Sequence, residues 1–293
     1  MLKSDFNKGL WLTSLGSFWW GFIGVIYFEY VSFIGHTELV VHRCLWTAAM
    51  LIITTSFLSK WKVFFDNIKI KENLIALFIS GFLIFVNWSV WIYAVATDRI
   101  IDASFGYFIM PIISVLLGFI FFKEKLNQKR ILSISLVLIS IIILIFFNLQ
   151  SLPWVGLIVA FSWAFYNLIR KKIKIDTDIG LLIESLYILP FALIAFYFIA
   201  ENNLNDFSLS NPGLSLFLTL AGPMTVIPLF LYVRGVELIG LGATGMIFYI
   251  TPTLQFILGY FYYNEDFSLV KFLSFIIIWI AVVIYLKDLY ENN

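Results

Sequence analysis

Apolar residues in this chain come in long runs, separated by short segments rich in Lys, Asn and Asp. A helix that crosses a hydrocarbon core ~30 Å thick needs about 20 apolar residues at ~1.5 Å of rise each. Ten stretches approach that length: 9–29, 37–58, 73–96, 102–122, 131–147, 153–169, 178–200, 213–234, 242–263 and 267–286. The connections are too short to hold a soluble domain. Lys3 and Lys8 before the first run resemble the head of a signal peptide, but the run continues from Gly9 to about Phe28, longer than a typical signal core. It predicts an uncleaved first helix. Strand-like alternation is absent, which excludes an outer-membrane barrel. The pattern predicts an all-α integral membrane protein of ten transmembrane helices.

Composition agrees. Of 293 residues, 61% are apolar and 13% charged, about half of the roughly 25% usual in soluble domains. A net charge of +1 supplies no field to gather nucleic acid. The single cysteine, Cys44, excludes an internal disulfide. Loop charges give the orientation. With the N-terminus in the cytoplasm, 16 of the 19 basic residues fall inside: Lys3, Lys8, Lys60, Lys62, Lys69, Lys71, Lys123, Lys125, Lys129, Arg130, Arg170, Lys171, Lys172, Lys174, Arg234 and Lys287. Arg99 and Lys271 fall outside, and Arg43 lies within a span. Both termini are thus expected in the cytoplasm, with the protein multi-pass in the cell (inner or plasma) membrane. Nine or eleven spans would spoil the alternation.

The chain also matches itself. At an offset of 141 residues, Pro111 meets Pro252, Gly118 meets Gly259, Glu124 meets Glu265 and Ser133 meets Ser274. A second echo, at an offset of 143, sets Trp20-Gly21-Phe22 against Trp163-Ala164-Phe165. The expected organisation is a five-helix half at 1–149 and a second at 150–293. Five is odd, so the second half inserts upside down, as in secondary transporters built from inverted repeats.

Several segments carry a family resemblance. They are His42-Arg43-Cys44-Leu45-Trp46, Asn87-Trp88, Asp102 through Gly106-Tyr107 to Pro111, Ser162-Trp163 through Tyr166 to Arg170-Lys171-Lys172, Gly180 to Glu184, Ala221-Gly222 through Thr225 to Pro228, and Tyr249 to Thr253. In this order, over nearly the whole chain, the sequence resembles the drug/metabolite transporter superfamily and within it the EamA-domain, RarD-like permeases. The resemblance implies ten helices in two inverted halves, a central cavity, and export of small metabolites or drugs across the cytoplasmic membrane.

Candidate chemistry is sparse. Ionisable residues inside a span are costly and mark functional sites by default. Arg43 lies about six residues into helix 2 and Glu184 about six into helix 7, and the 141-residue offset superposes them. Inversion places them at opposite depths, against a direct bridge. Arg43 is expected to hold an anionic group such as a carboxylate, and Glu184 a cationic group or a coupling proton. The alternative for each is a helix-end or neighbour pairing, with Glu38 or Lys174. His42 is a second proton candidate, against a buried, hydrogen-bonded structural role. Asn87, Trp88, Trp163, Tyr166 and Tyr249 are candidate substrate contacts, with helix packing as the alternative. Pro111 and Pro252, near mid-span, are candidate helix breaks and gating points. Helices 5 and 10, with almost nothing polar beyond serines, are expected to face lipid.

Three functions compete. A secondary transporter working by alternating access fits best. A membrane enzyme on lipid or isoprenoid would need metal or phosphate motifs, yet the chain has two histidines and no Walker or G-x-S-x-G signature. A channel would need a filter or a charged ring. No metal or cofactor is expected. The expected partners are a small-molecule substrate and the bilayer, with proton coupling open, and no nucleic acid.

Overall fold

The computed structural model describes residues 3–96, 100–148, 154–262 and 269–292. Every regular element among them is helical. The chain runs α1 (Lys3–Phe18), a π-helical turn (Trp19–Ile23), α2 (Gly24–Tyr30), α3 (His36–Phe57), α4 (Trp61–Ile68), α5 (Lys71–Ala96), α6 (Ile100–Phe122), α7 (Gln128–Asn148), α8 (Trp154–Lys172), α9 (Thr177–Glu201), α10 (Pro212–Thr219), α11 (Ala221–Ile247), α12 (Ile250–Phe261) and α13 (Leu269–Glu291). Arg99 and Glu265, which entered the loop-charge count and the repeat, lie outside the described residues.

Among the described residues, eight helical runs are long and apolar enough to cross a membrane. Two features separate that number from the expected ten. Helix α8 carries Ser162, Tyr166 and Asn167 and ends on Arg170-Lys171-Lys172, and it is not one of the eight. The stretch Pro212–Phe261 counts once although it is 50 residues long. The short α4, in the connection after α3, had no signal in the apolar pattern.

Packing places α1 along α11, α5 and α6 against α8, α3 against α9 and α11, and α7 against α13. The largest core cluster gathers Leu51, Trp88, Tyr166, Leu182, Val226 and Tyr232 with their neighbours. Helices α7 and α13 turn Ile139, Ile142, Phe146, Ile280 and Val283 outward, and Ser133, Ser140 and Ser274 inward. Ser140 Oγ donates to the Ser274 carbonyl at 2.8 Å and Ser133 Oγ donates to the Ala281 carbonyl. At one end of the pair, Arg130 Nε meets Asp288 at 2.8 Å, both side chains buried. Those two helices therefore hold more than serines.

Two breaks shape the second half. Gly240 interrupts α11 with φ 91° and ψ 172°, a backbone that side chains other than glycine rarely adopt. The amides that restart the helix are taken by Glu124, which accepts from Leu241 N and Gly242 N at 2.9 Å each. Glu124 reaches them because Lys123, with φ 53°, turns the chain left-handed at the end of α6 and Glu124 N closes onto the Gly118 carbonyl at 3.1 Å. The second break is at Phe248–Tyr249. Pro252 was expected to interrupt its helix; the break falls one turn ahead of it, at Phe248, whose carbonyl a proline at 252 cannot bond, and Pro252 itself sits in the first turn of α12. Pro111 lies inside an unbroken α6.

The Glu124 cap gives a stability prediction. Glu124→Ala leaves two backbone amides unanswered, a loss of roughly 3 kcal/mol. We expect the melting temperature in detergent, followed by tryptophan fluorescence, to fall by about 5–10 °C. Glu124→Gln should lose nearly as much, since its amide presents a donor to a donor. An unchanged melting temperature in Glu124→Ala would show that the cap contributes nothing.

Candidate functional site

A cavity opens where α3, α5, α9 and α11 converge. Its wall includes Cys44, Thr47, Trp88, Glu184, Ser185 and Val226. The free volume is about 20 Å³, room for one or two waters. The lining is mostly apolar, and Glu184 is its ionisable group apart from the Cys44 thiol.

Glu184 is 2% exposed, so its charge has to be answered from within the protein. Oε1 accepts from Ser80 Oγ on α5 at 2.5 Å, and Oε2 accepts from the Tyr166 hydroxyl on α8 at 3.2 Å. Behind the carboxylate stands Arg170, whose Nη1 is 3.6 Å from Glu184 Oε1. Arg170 is 1% exposed, and its Nη2 donates to the Thr177 carbonyl at 3.1 Å. The guanidinium lies flat on Gly180, where a side chain would occupy its position. Of the two neighbour pairings weighed from sequence, neither Arg43 with Glu38 nor Glu184 with Lys174 forms, and Lys174 is not the partner of Glu184. Arg170 is, and the loop-charge count had assigned it to the cytoplasm. Two spacings signal it in hindsight: Tyr166 and Arg170 are four apart on α8, and Gly180 and Glu184 four apart on α9, so each pair shares a helix face.

Arg43 lies at the other side of the cavity, 8% exposed. Its guanidinium carbon sits 4.7 Å from the Trp88 ring centroid and 5.0 Å from that of Phe28, and Nε donates to Thr225 Oγ1 at 3.3 Å. Among the described residues no carboxylate lies within ion-pair distance of it. Arg43 and Glu184 are not bridged to each other, and the Trp88 ring separates Arg43 from the cavity.

The other candidates lie elsewhere. Asn87 donates to the Val159 carbonyl at 2.9 Å and Ser162 Oγ at 3.1 Å, joining α5 to α8. Trp163 sits in an aromatic cluster with Trp20 at 5.2 Å, Tyr166 at 5.5 Å and Tyr232 at 5.5 Å. Trp20 belongs to the π-helical turn, a distortion frequent at functional positions. The Tyr249 hydroxyl donates to the Phe108 carbonyl at 2.7 Å. His42 faces away from the cavity. Its Nδ1 accepts from the Trp46 indole at 3.2 Å, so Nε2 carries the proton and donates to Glu38 at 3.3 Å. Glu38 in turn accepts from Asp206 N and Phe207 N, tying the α9–α10 loop to α3.

At the opposite end of the bundle, Lys60 follows α3 and binds Asp178 at 2.8 Å and Asp176 at 3.2 Å, at the start of α9. Asp178 beside it holds the Lys60 ammonium above the usual lysine range. The contribution of the Lys60 ammonium is therefore fully present below the ordinary lysine pKa of ~10.5 and is lost as pH rises through the raised value.

Comparison with known proteins places this arrangement. The EamA-like transporter family matches residues 7–146 and 152–287. The chain is 33% identical over 288 residues to the uncharacterized transporter YojE of Bacillus subtilis, covering 97% of this chain and 95% of that one. It is 32% identical over 282 residues to the protein RarD of Escherichia coli, covering 96% and 95%. A solved crystal structure shares the fold at a TM-score of 0.71 with 13% identity, over 94% of this chain and 96% of that one. The chain belongs to the EamA-like transporter family, RarD-like within the drug/metabolite transporter superfamily, and is a multi-pass membrane transporter rather than an enzyme.

Proposed function

We propose that the protein is a secondary transporter that exports small metabolites, amino acids or drugs across the cytoplasmic membrane by alternating access. The observation that carries this reading is the composition of the cavity wall. Helices α3 and α5 come from residues 1–149, and α9 and α11 from 150–293. A site between two halves is where rocking of one against the other exchanges access.

The ten-helix, inverted-repeat organisation is part of the proposal. Taking α8 as a crossing and dividing Pro212–Phe261 at Gly240 gives ten. Side-chain contacts repeat under the 141-residue offset. Ser133 with Ala281 becomes Ser274 with Ser140, and Phe108 maps onto Tyr249, its own hydrogen-bond partner. Pairs that map onto themselves or each other are what a pseudo-two-fold axis produces. The two stretches matched by the family divide at the same place, and the loop charges favour cytoplasmic termini.

Ligand pockets usually measure about 300–1,000 Å³, so a cavity near 20 Å³ is an occluded state. In the proposed cycle the two ends of α3 carry the latches. Glu38 holds the α9–α10 loop at one end, and Lys60 holds α9 at the other. In the proposed cycle one latch opens while the other stays shut. Trp88 and Glu184 serve as substrate contacts on the wall, and Arg43 behind Trp88 and Tyr166 behind Glu184 come within reach of the substrate as the cavity opens. Asn87, Trp163 and Tyr249 keep the wall in shape, and Pro111 and Pro252 flank the segments that move.

Three outcomes are expected. Arg43→Gln inserts normally but loses transport in proteoliposomes by at least about tenfold, and normal transport by that variant would remove Arg43 from the site. Cys44 is the only thiol and lines the cavity, so maleimide labelling reports access from each side. Lys60→Ala should raise labelling from the cytoplasmic face, and Glu38→Gln from the outer face. Equal labelling in wild type and both variants would argue against the latches. Proton coupling through Glu184 or His42 requires an imposed pH gradient to drive uptake, and a rate indifferent to that gradient would exclude it.

A further inference from the structure

Arg170 is not on the cavity wall, yet it governs the wall's charge. Glu184 would be an evident receptor for a cationic substrate: a carboxylate facing an apolar cavity in a low-dielectric setting. That position is already taken. The Arg170 guanidinium stands 3.6 Å behind it and is held there by three features. Its Nη2 is fixed on the Thr177 carbonyl, Gly180 leaves the notch it fills, and the side chain has no route to solvent at 1% exposure. Its Nε and Nη1 have no hydrogen-bond acceptor among the described residues, so the guanidinium is not consumed by other bonds. Glu184 is the carboxylate within ion-pair distance of it among the described residues.

We propose that Arg170 is a specificity-determining residue, a tethered cation that occupies Glu184 and makes the cavity select organic anions over cations. This rests on the reading of the cavity as the substrate site. A cationic substrate would have to displace a tethered competitor, whose effective concentration at Glu184 is far above that of any solute. It would also leave Arg170 buried without a partner, which is costly. An anionic substrate meets neither obstacle. The Glu184 charge is balanced, and Arg43, beyond Trp88, adds a second guanidinium with no carboxylate near it among the described residues. The formal sum over Arg43, Arg170 and Glu184 is one positive charge.

The lone cysteine makes the charge measurable without a known substrate. Cys44 shares the cavity wall with Glu184. Two methanethiosulfonate reagents of similar size are compared, ethylsulfonate (negative) and ethyltrimethylammonium (positive), on the purified full-length protein. The ratio of their rates at Cys44, divided by the ratio for a free small thiol, reads the local potential and cancels changes in thiol reactivity. We expect the wild-type ratio to favour the negative reagent. Arg170→Gln should shift it toward the positive one by about tenfold or more, as expected for removing one nearby charge. Arg170→Lys should keep it. Glu184→Gln should shift it the other way by a similar factor, and it supplies the test if Arg170→Gln fails to fold. The double variant Arg170→Gln with Glu184→Gln should return near the wild-type ratio. A ratio that ignores both residues, or a wild-type preference for the positive reagent, overturns the proposal and leaves the cavity reading intact. Failure of both reagents to reach Cys44 in the wild type and also in Lys60→Ala, where access is expected to rise, overturns the cavity reading and this proposal with it.

Discussion

Hydrocarbon supplies no hydrogen bonds, so a polar group within the bundle must be answered by another part of the same chain. That constraint explains where the interior departs from plain apolar packing. A helix that restarts inside a bundle exposes amides at its new N-terminus, and at Gly240 those amides meet the Glu124 carboxylate. Serines on α7 meet backbone carbonyls on α13. Arg130 meets Asp288, and Arg170 meets Glu184. Each pairing joins two different helices, and all but Arg170–Glu184 join elements distant in sequence, so the polar residues act as fasteners between helices that lipid alone would not hold in register. With little hydrophobic drive between helices in lipid, such contacts and close packing set the arrangement.

The same constraint decides what sequence makes legible. Apolar runs had to be long wherever a helix meets lipid, so the positions of α3, α5, α6, α7, α9 and α13 follow from hydropathy to within a few residues. Helix α8 is less apolar because it lies inside, against α5 and α6. The breaks near α12 were harder to place. Pro252 drew attention as a helix breaker, but the break falls one turn ahead of it, and Gly240 with Glu124 makes one of the interruptions. Glu124 and Gly240 are 116 residues apart, and no local pattern connects them.

The site shows the same division. Glu184 and Arg43 were visible because charges in apolar runs are conspicuous. Arg170 was hidden by its company: at the head of Arg170-Lys171-Lys172 it reads as one more cytoplasmic charge. Only the reach of its side chain into the notch at Gly180 on α9 separates it from its neighbours. His42 was ambiguous for the opposite reason. Its sequence neighbours Glu38 and Trp46, each one turn away on α3, already offered both of its ring nitrogens a partner, and the structure uses both.

Few charges suffice in such a site because the surroundings are apolar. A carboxylate in water is screened, whereas here Glu184 acts over the whole cavity, and its effect is set by whatever stands behind it. In the proposed cycle motion and selectivity are therefore linked. Arg170 is carried by α8 and Glu184 by α9, and α8 also packs on α5 and α6 from the other half of the chain. If opening one face moves α8 relative to α9, the distance between guanidinium and carboxylate changes with it. The cavity would then present a different charge to each side of the membrane, which gives alternating access a means of taking up a solute on one face and releasing it on the other.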